Sequence, residues 1–212
     1  MMKKALILDL DNTIYPVSSI ADHLFEELFA TLDEYVELIN TDDPGRLSKI
    51  KHEMTRRPFQ HIADEFRLDK KVRDKMVSLL KNMTYDQPIR PYDDYQHVRS
   101  IPLDKFLVTT GFSKLQWSKV KMLGIEGDFK HIHVVDPDIS QKTKKDVFAQ
   151  IMQIHNYRPE DLLVIGDDPE SEIKAAIALG IDTFLYDPQD NHPGAAVSYR
   201  SGDLQDVLKL LQ

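Results

Sequence analysis

The chain contains no cysteine. Disulfides, thiolate nucleophiles and cysteine-ligated metals are therefore excluded. The lack fits a reducing compartment, and a cytoplasmic location is expected. Long apolar runs are missing as well. No stretch approaches the ~20 residues of a membrane-spanning helix, so no membrane partner is expected. The opening MMKKALIL starts like a signal peptide, but its apolar run is short and Asp9 interrupts it, so it is not read as one. An excess of basic residues is lacking too. With 27 Lys+Arg against 35 Asp+Glu and a formal net charge of -8, the chain does not carry the electrostatic footprint of a nucleic-acid binder. Repeats and low-complexity segments are absent.

What is present suits one packed domain with a sizeable insert. The 212 residues are 42% hydrophobic and 29% charged, ordinary values for a globular protein. Five short runs rich in Ile, Val and Leu, at 5–8, 106–108, 131–135, 162–165 and 183–186, lack strict alternation. That pattern predicts strands buried on both faces of a parallel sheet. Helical patterns separate the later runs, at 113–123 before Gly124, at 143–155, and at 169–179 between Pro169 and Gly180. The alternation predicts a doubly wound α/β sheet. Between the first two strands the pattern is helical instead. Ile20, Leu24, Leu28, Leu32, Tyr35 and Ile39 mark one long helix, and Val72, Met76, Leu79 and Leu80 another. We expect an α/β core from residues 1–16 and 91–212 and a helical insert over 17–90.

In an open parallel sheet, ligands bind outside the carboxyl ends of the strands. The first run ends in Asp9, Leu10, Asp11, Asn12 and Thr13, the second in Thr109, Thr110 and Gly111, and the fourth in Gly166, Asp167 and Asp168. A lysine cluster, Lys142, Lys144 and Lys145, follows the third. Singly, each has a plain structural explanation: Asp and Asn are common turn residues, and lysines beside a helix are usually solvated. Jointly they differ. Carboxylates converging from separate strands would repel strongly at partial burial. Oxygen-rich acidic pockets suit Mg2+, while a lysine and a hydroxyl suit the equatorial oxygens of a phosphoryl group.

DLDNT, then Thr109, then a lysine, then GDDPESE, in this order, resembles the haloacid dehalogenase-like superfamily, with the insert at the position of its helical cap. DLDNTIYP is similar to the opening of the pyrimidine 5'-nucleotidase-like branch. The resemblance implies a Rossmann-like core and a Mg2+-dependent hydrolase of small-molecule phosphate monoesters, such as a nucleoside monophosphate or sugar phosphate. It implies Asp9 as nucleophile and Asp11 as acid and then base. Asp9, Asp167 and the Asp11 backbone carbonyl would ligate the metal, with Asp168 and Glu172 around it or in its water shell. Thr109 would bind the phosphoryl group. Lys142 would neutralise it, chosen because it lies six residues before Phe148, with Lys144 or Lys145 as alternatives if the loop is shifted. Asp11 points to phosphate esters rather than haloacids, because an alkoxide leaving group needs a proton and a halide does not. Glu172 where aspartate is usual, Thr110 where asparagine often stands, and the basic loop at 142–145 depart from the family pattern.

Thr13, Thr110 and Gly111 are candidate substrate contacts. So are Arg56, Arg57 and His61, in a segment (46–75) holding ten Lys or Arg against five Asp or Glu; the plainer alternative is a solvated helix face. His131, His133 and His155 are read as packing or surface residues. A phosphomutase, a receiver-type phospho-acceptor and a non-catalytic phospho-ligand-binding protein are the other readings. The insert and the D-x-D spacing argue against the receiver. A monomer or homodimer is expected.

Overall fold

The computed structural model describes residues 3–39, 43–55 and 59–211. Six strands, β1 (Ala5–Leu8), β2 (Asp104–Thr110), β3 (His131–Val135), β4 (Leu162–Gly166), β5 (Asp182–Tyr186) and β6 (Tyr199–Ser201), form one wholly parallel sheet in the order β3-β2-β1-β4-β5-β6. Helices α1 (Ala21–Asp33), α2 (Val36–Ile39), α3 (Arg46–Met54), α4 (Phe59–Glu65) and α5 (Lys70–Asn82) lie between β1 and β2, with α6 (Tyr95–Arg99) just before β2. Helix α7 (Ser113–Leu123) connects β2 to β3, α8 (Lys144–His155) connects β3 to β4, α9 (Lys174–Ile177) connects β4 to β5, and α10 (Val207–Leu210) follows β6.

The central strands are buried on both faces, and alternate residues feed two cores. On one side Ala5 and Ile7 of β1 join Phe106, Val164 and Phe148. On the other, Leu6 and Leu8 join Leu107, Leu163 and a larger core that runs into the helices between β1 and β2. Uninterrupted apolar runs are what a strand with helices on both sides requires.

All five expected strands are present. The sixth, β6, was not expected, and its short sequence (Tyr199, Arg200, Ser201) is largely exposed at the sheet edge, so it has no apolar pattern to announce it. The long helix expected over 20–39 breaks at Glu34 and Tyr35. There the amides donate three residues back, Glu34 N–H to Thr31 O at 3.2 Å and Tyr35 N–H to Leu32 O at 3.0 Å, which tightens the last turn of α1. The expected helix at 169–179 is a wide π-helical turn, Pro169–Ile173, followed by α9.

That wide turn folds Glu172 back over the end of β4. A Cβ added at Gly166 would lie 2.2 Å from Glu172 Oε1 and 2.3 Å from its Cγ, so only glycine lets the side chain pass. Gly166→Ala is expected to destabilise the fold by about 1–3 kcal/mol or more through overpacking, read as a lower urea midpoint with an unchanged slope. Stability equal to wild type would contradict this packing.

On β3, His133 is the described residue whose side-chain nitrogen, Nε2, is buried with no hydrogen-bond partner. Burial, reinforced by His131, His155 and Lys142, holds its pKa below the ordinary value. The unfolded chain therefore binds the proton first, and stability should fall as pH drops below about 6.5. Chemical denaturation between about pH 7 and 5 should show a shallower fall for His133→Gln than for wild type; parallel curves would exclude this contribution.

Candidate active site

Parallel strands bring their carboxyl ends to one edge. Leu8 pairs with Leu107 of β2 and with Ile165 of β4, and Asp9 N–H extends the ladder by donating to Ile165 O at 3.0 Å. The order of the sheet reverses between β1 and β4, where such sheets open a crevice. The segment after β1 then turns tightly. Ile14 N–H donates to Leu10 O at 3.0 Å. Asn12 takes a left-handed φ of 55°, and its Oδ1 accepts from Val17 N–H at 3.0 Å. Asparagine tolerates that backbone region better than most residues. Leu10 and Ile14, both fully buried, anchor the loop.

Lys144 opens α8. Thr143 caps that helix, its side chain accepting from Asp146 N–H while Asp146 Oδ2 accepts from Thr143 N–H. The buried Lys144 ammonium donates to Asp9 Oδ1 at 2.5 Å and to Glu172 Oε2 at 2.7 Å. Glu172 is held from its other side, Oε1 accepting from Asp168 N–H at 2.8 Å. Burial pushes the Asp9 carboxyl up to about 7, against the pull of Lys144 and with repulsion from Glu172 added. Burial also raises Asp167 well above the usual range, with Glu172 and Asp9 adding to it. Lys144 is shifted upward, because Asp9 and Glu172 together outweigh its own desolvation.

One oxygen each from Asp9, Asp167 and Glu172 lie within 4.8 Å of one another. Among the described residues Lys144 is the one cation paired with this trio, and it bonds Asp9 and Glu172 but not Asp167, so the cluster carries surplus negative charge. Among the described residues, the side-chain hydrogen bond to Asp167 is a long one from Thr13 Oγ1, at 3.4 Å. Hard oxygen donors, crowded and under-compensated, fit a hard divalent cation such as Mg2+.

Asp11 belongs to a separate set. Lys119 of α7 donates to its two oxygens at 2.9 and 3.2 Å, Gln116 Nε2 donates to Oδ2 at 3.0 Å, and the Tyr15 hydroxyl donates to Oδ1. Burial alone would raise the Asp11 carboxyl; Lys119 and these hydrogen bonds overcome it and hold it below its ordinary value. Burial, and then the same carboxylate, push the Tyr15 hydroxyl well up. Gln116 Nε2 also lies 2.6 Å from Thr109 Oγ1, which links the ends of β1 and β2.

These residues face a cleft of 150 Å³. Its floor includes Asp9, Asp11, Thr109, Thr110, Gly111, Lys144, Asp167, Asp168 and Glu172. Its wall is apolar, with Leu24, Phe25, Met54, Phe59 and Leu80 from the helices between β1 and β2. Thr13 is fully buried behind Asp167. Asp168 caps the following turn by accepting from Glu170 N–H at 2.8 Å.

The structure places several of the expected residues differently. The lysine that reaches Asp9 is Lys144, not Lys142. Lys142 precedes the Thr143 cap and is exposed, whereas Lys144 shares the buried helix face of Val147, Phe148 and Ile151. Glu172 joins the acidic trio directly rather than standing behind it, and the Asp11 carboxylate turns away from the trio towards Lys119. His61 is exposed and outside the cleft lining. Arg56 and Arg57 lie outside the described residues. Elsewhere in the basic segment, Lys49, Lys51 and Arg73 pair with Asp43, Asp33 and Asp64, which matches the plainer alternative for those residues. Gln116, Lys119 and Tyr15 were not foreseen. The signal for the first two was available: both fall in the buried stripe of α7 with Leu115, Val120 and Leu123, and a lysine inside an apolar stripe needs a partner.

Comparison with known proteins agrees with this geometry. A model of haloacid dehalogenase-like hydrolases matches residues 3–180. Glyceraldehyde 3-phosphate phosphatase of Methanopyrus kandleri is 22% identical over 86% of this chain and 83% of its own length. Pyrimidine 5'-nucleotidase PynA of Streptococcus pneumoniae is 28% identical, the match spanning 51% of this chain and 47% of the relative. Among solved structures, a haloacid dehalogenase-like hydrolase of Streptococcus pneumoniae superposes with a TM-score of 0.73 at 19% identity over 99% of both chains. The magnesium-bound HAD-hydrolase YfnB of Bacillus subtilis gives 0.66 at 19% identity over the full length of both. With a parallel sheet, acidic strand ends and a family match over most of its length, the chain belongs to the haloacid dehalogenase-like hydrolases.

Proposed function

We propose that this hydrolase is a Mg2+-dependent phosphatase of small phosphate monoesters that works through an aspartyl-phosphate on Asp9. The observation that carries the reading is the buried contact of Lys144 with Asp9 and Glu172, beside Asp167 and in the same cleft lining as Thr109. A nucleophilic carboxylate, a fixed ammonium and a hydroxyl at one strand edge are the parts that phosphoryl transfer uses. Asp9 attacks phosphorus, an Asp9 oxygen–phosphorus bond forms, and the bond to the leaving oxygen breaks. Asp11, in the minor fraction of molecules that enter the step with it protonated, gives its proton to that oxygen and is left a carboxylate. Water then attacks phosphorus, Asp11 takes its proton, and the aspartyl bond breaks to release phosphate. Asp9, Asp167, Glu172 and the Asp11 carbonyl would hold Mg2+, which supplies neutralisation of phosphoryl charge when bound. Lys144 adds a permanent positive charge at the same place.

We assign residues 17–90 the part of a cap over the cleft and 1–16 with 91–212 that of the catalytic core. The apolar wall of Leu24, Phe25, Met54, Phe59 and Leu80 favours a leaving group with an apolar or planar face, such as a nucleoside, over a polyol. The names of the two relatives above, a triose-phosphate phosphatase and a pyrimidine nucleotidase, define the panel to assay first.

Nucleoside monophosphates, sugar phosphates and triose phosphates with Mg2+ are expected to release inorganic phosphate. Asp9→Asn should lower kcat by about 10⁴-fold or more, and chelation should abolish turnover until Mg2+ is restored. Activity that persists in Asp9→Asn, or that needs no divalent ion, would overturn the mechanism. Net transfer of phosphate within the substrate without release would indicate a mutase.

Because Lys119 and Tyr15 hold Asp11 as a carboxylate, the resting site is arranged for activating water rather than for donating a proton. Aryl phosphates with weakly basic leaving groups should therefore turn over faster than alkyl phosphates. Asp11→Asn should cost alkyl esters about 10²–10⁴-fold and aryl esters less. Equal losses for both classes in single-turnover assays would remove Asp11 from leaving-group protonation.

Lys144→Met leaves buried carboxylates without their cation. It is expected to cost about 3–5 kcal/mol of stability, measured by urea unfolding, with part of the loss recovered at millimolar Mg2+. A variant as stable as wild type would show that the pair is not buried as described.

A further inference from the structure

Thr109 can present its hydroxyl to a phosphoryl group in two ways, and only one helps. If its proton is spent on a neighbour, the oxygen offers lone pairs to an anion, which repels. If its oxygen accepts from a neighbour, the proton is free to donate into the cleft. Hydrogen-bond polarity around Thr109 therefore bears on anion binding.

We propose that Gln116 and Lys119 are positioning residues that fix this polarity, acting as a relay from Lys119 through Asp11 and Gln116 to Thr109. The proposal rests on the phosphatase reading above. Lys119, itself buried, contacts both oxygens of Asp11, at 2.9 and 3.2 Å. A carboxylate so paired only accepts hydrogen bonds. The Gln116 side-chain atom 3.0 Å from Asp11 Oδ2 must then be the amide nitrogen, because an amide oxygen there would face a carboxylate oxygen. That same nitrogen lies 2.6 Å from Thr109 Oγ1. An amide nitrogen donates and does not accept, so Thr109 Oγ1 must be the acceptor. Its own O–H is then left to donate into the cleft that both Thr109 and Asp9 line.

Two features of the backbone support the relay. Gln116 and Lys119 are separated by one helical turn on α7, so their side chains lie along one face. Gly111 has a φ of 154°, and a Cβ there would sit 3.1 Å from Gln116 Cγ and Cδ. Glycine keeps the Gln116 side chain seated against the end of β2. Tyr15 completes the set by donating to the remaining side of Asp11, so the carboxylate has no freedom to turn the amide over.

The test is the affinity of orthovanadate, a phosphate mimic, measured by calorimetry with Mg2+ on the full chain. Thr109→Val and Gln116→Leu should each weaken binding about 10- to 100-fold, as loss of a hydrogen bond to a charged group does, and the double variant should be no weaker than either alone. Gln116→Glu, which can only accept, should weaken binding at least as much as Gln116→Leu. Lys119→Met should weaken it too, and Lys119→Arg should restore it to within about threefold of wild type, a smaller loss than one hydrogen bond. Losses that multiply in the double variant, wild-type affinity in Gln116→Glu, no rescue by Lys119→Arg, or no saturable vanadate binding by wild type would each overturn the relay. If Gln116→Leu or Lys119→Met fails to fold, as judged by circular dichroism, the Gln116→Glu and Lys119→Arg arms decide. Phosphatase turnover and its loss in Asp9→Asn test the underlying reading separately, because they do not depend on the Gln116 result.

Discussion

The ammonium of Lys144, held between Asp9 and Glu172, is the contact on which the active edge depends. Three carboxylates crowd there in surroundings largely closed to water, and without a cation they would repel and protonate. Much of the local structure serves to bring that ammonium in. The Thr143 cap starts α8 so that its first residue faces the sheet, and Phe148 and Ile151 bury the same face beneath it. Gly166 removes a side chain so that Glu172 can reach over β4, and Asp168 N–H holds the far oxygen of Glu172 in place.

A second lysine solves the companion problem. Asp9 and Asp11 are two residues apart, yet each has its own cation from a different side of the sheet. Lys144 comes from α8 and bonds Asp9, while Lys119 comes from α7 and bonds Asp11. The two carboxyls nevertheless shift in opposite directions: burial, with Glu172, outweighs Lys144 and takes Asp9 up to about 7, while at Asp11 burial is outweighed by Lys119 and the hydrogen bonds, which hold it below its ordinary value. Groups whose environments push their protonation apart can be given different work in one site.

The floor and the wall of the cleft have different origins. The floor is built from strand ends whose positions follow from parallel pairing, and its chemistry is charged and directional. The wall comes from helices inserted between β1 and β2, and it is apolar. Under the proposed phosphatase reading, that division would have the strand ends handle phosphorus and the inserted helices set which leaving group is accommodated.

The two cores, the parallel sheet and the carboxylates at its edge were legible because each depends on local pattern. Apolar runs ending in Asp9, Thr109 and Asp167 define both the strands and what they deliver. The edge strand β6 had no such pattern, and the break after α1 depended on hydrogen-bond geometry that periodicity does not encode. The choice among Lys142, Lys144 and Lys145 was decided by where α8 begins, since a shift of two residues turns a lysine from solvent to the core face. Two partners of Asp11, Gln116 and Lys119, lie more than a hundred residues away along the chain. The amino-acid sequence by itself thus determined five of the six strands, the acidic residues that end them and the hydrolase family. Only the tertiary structure decided which lysine meets which carboxylate, because ion pairing depends on distances of a few ångströms between elements far apart in the chain.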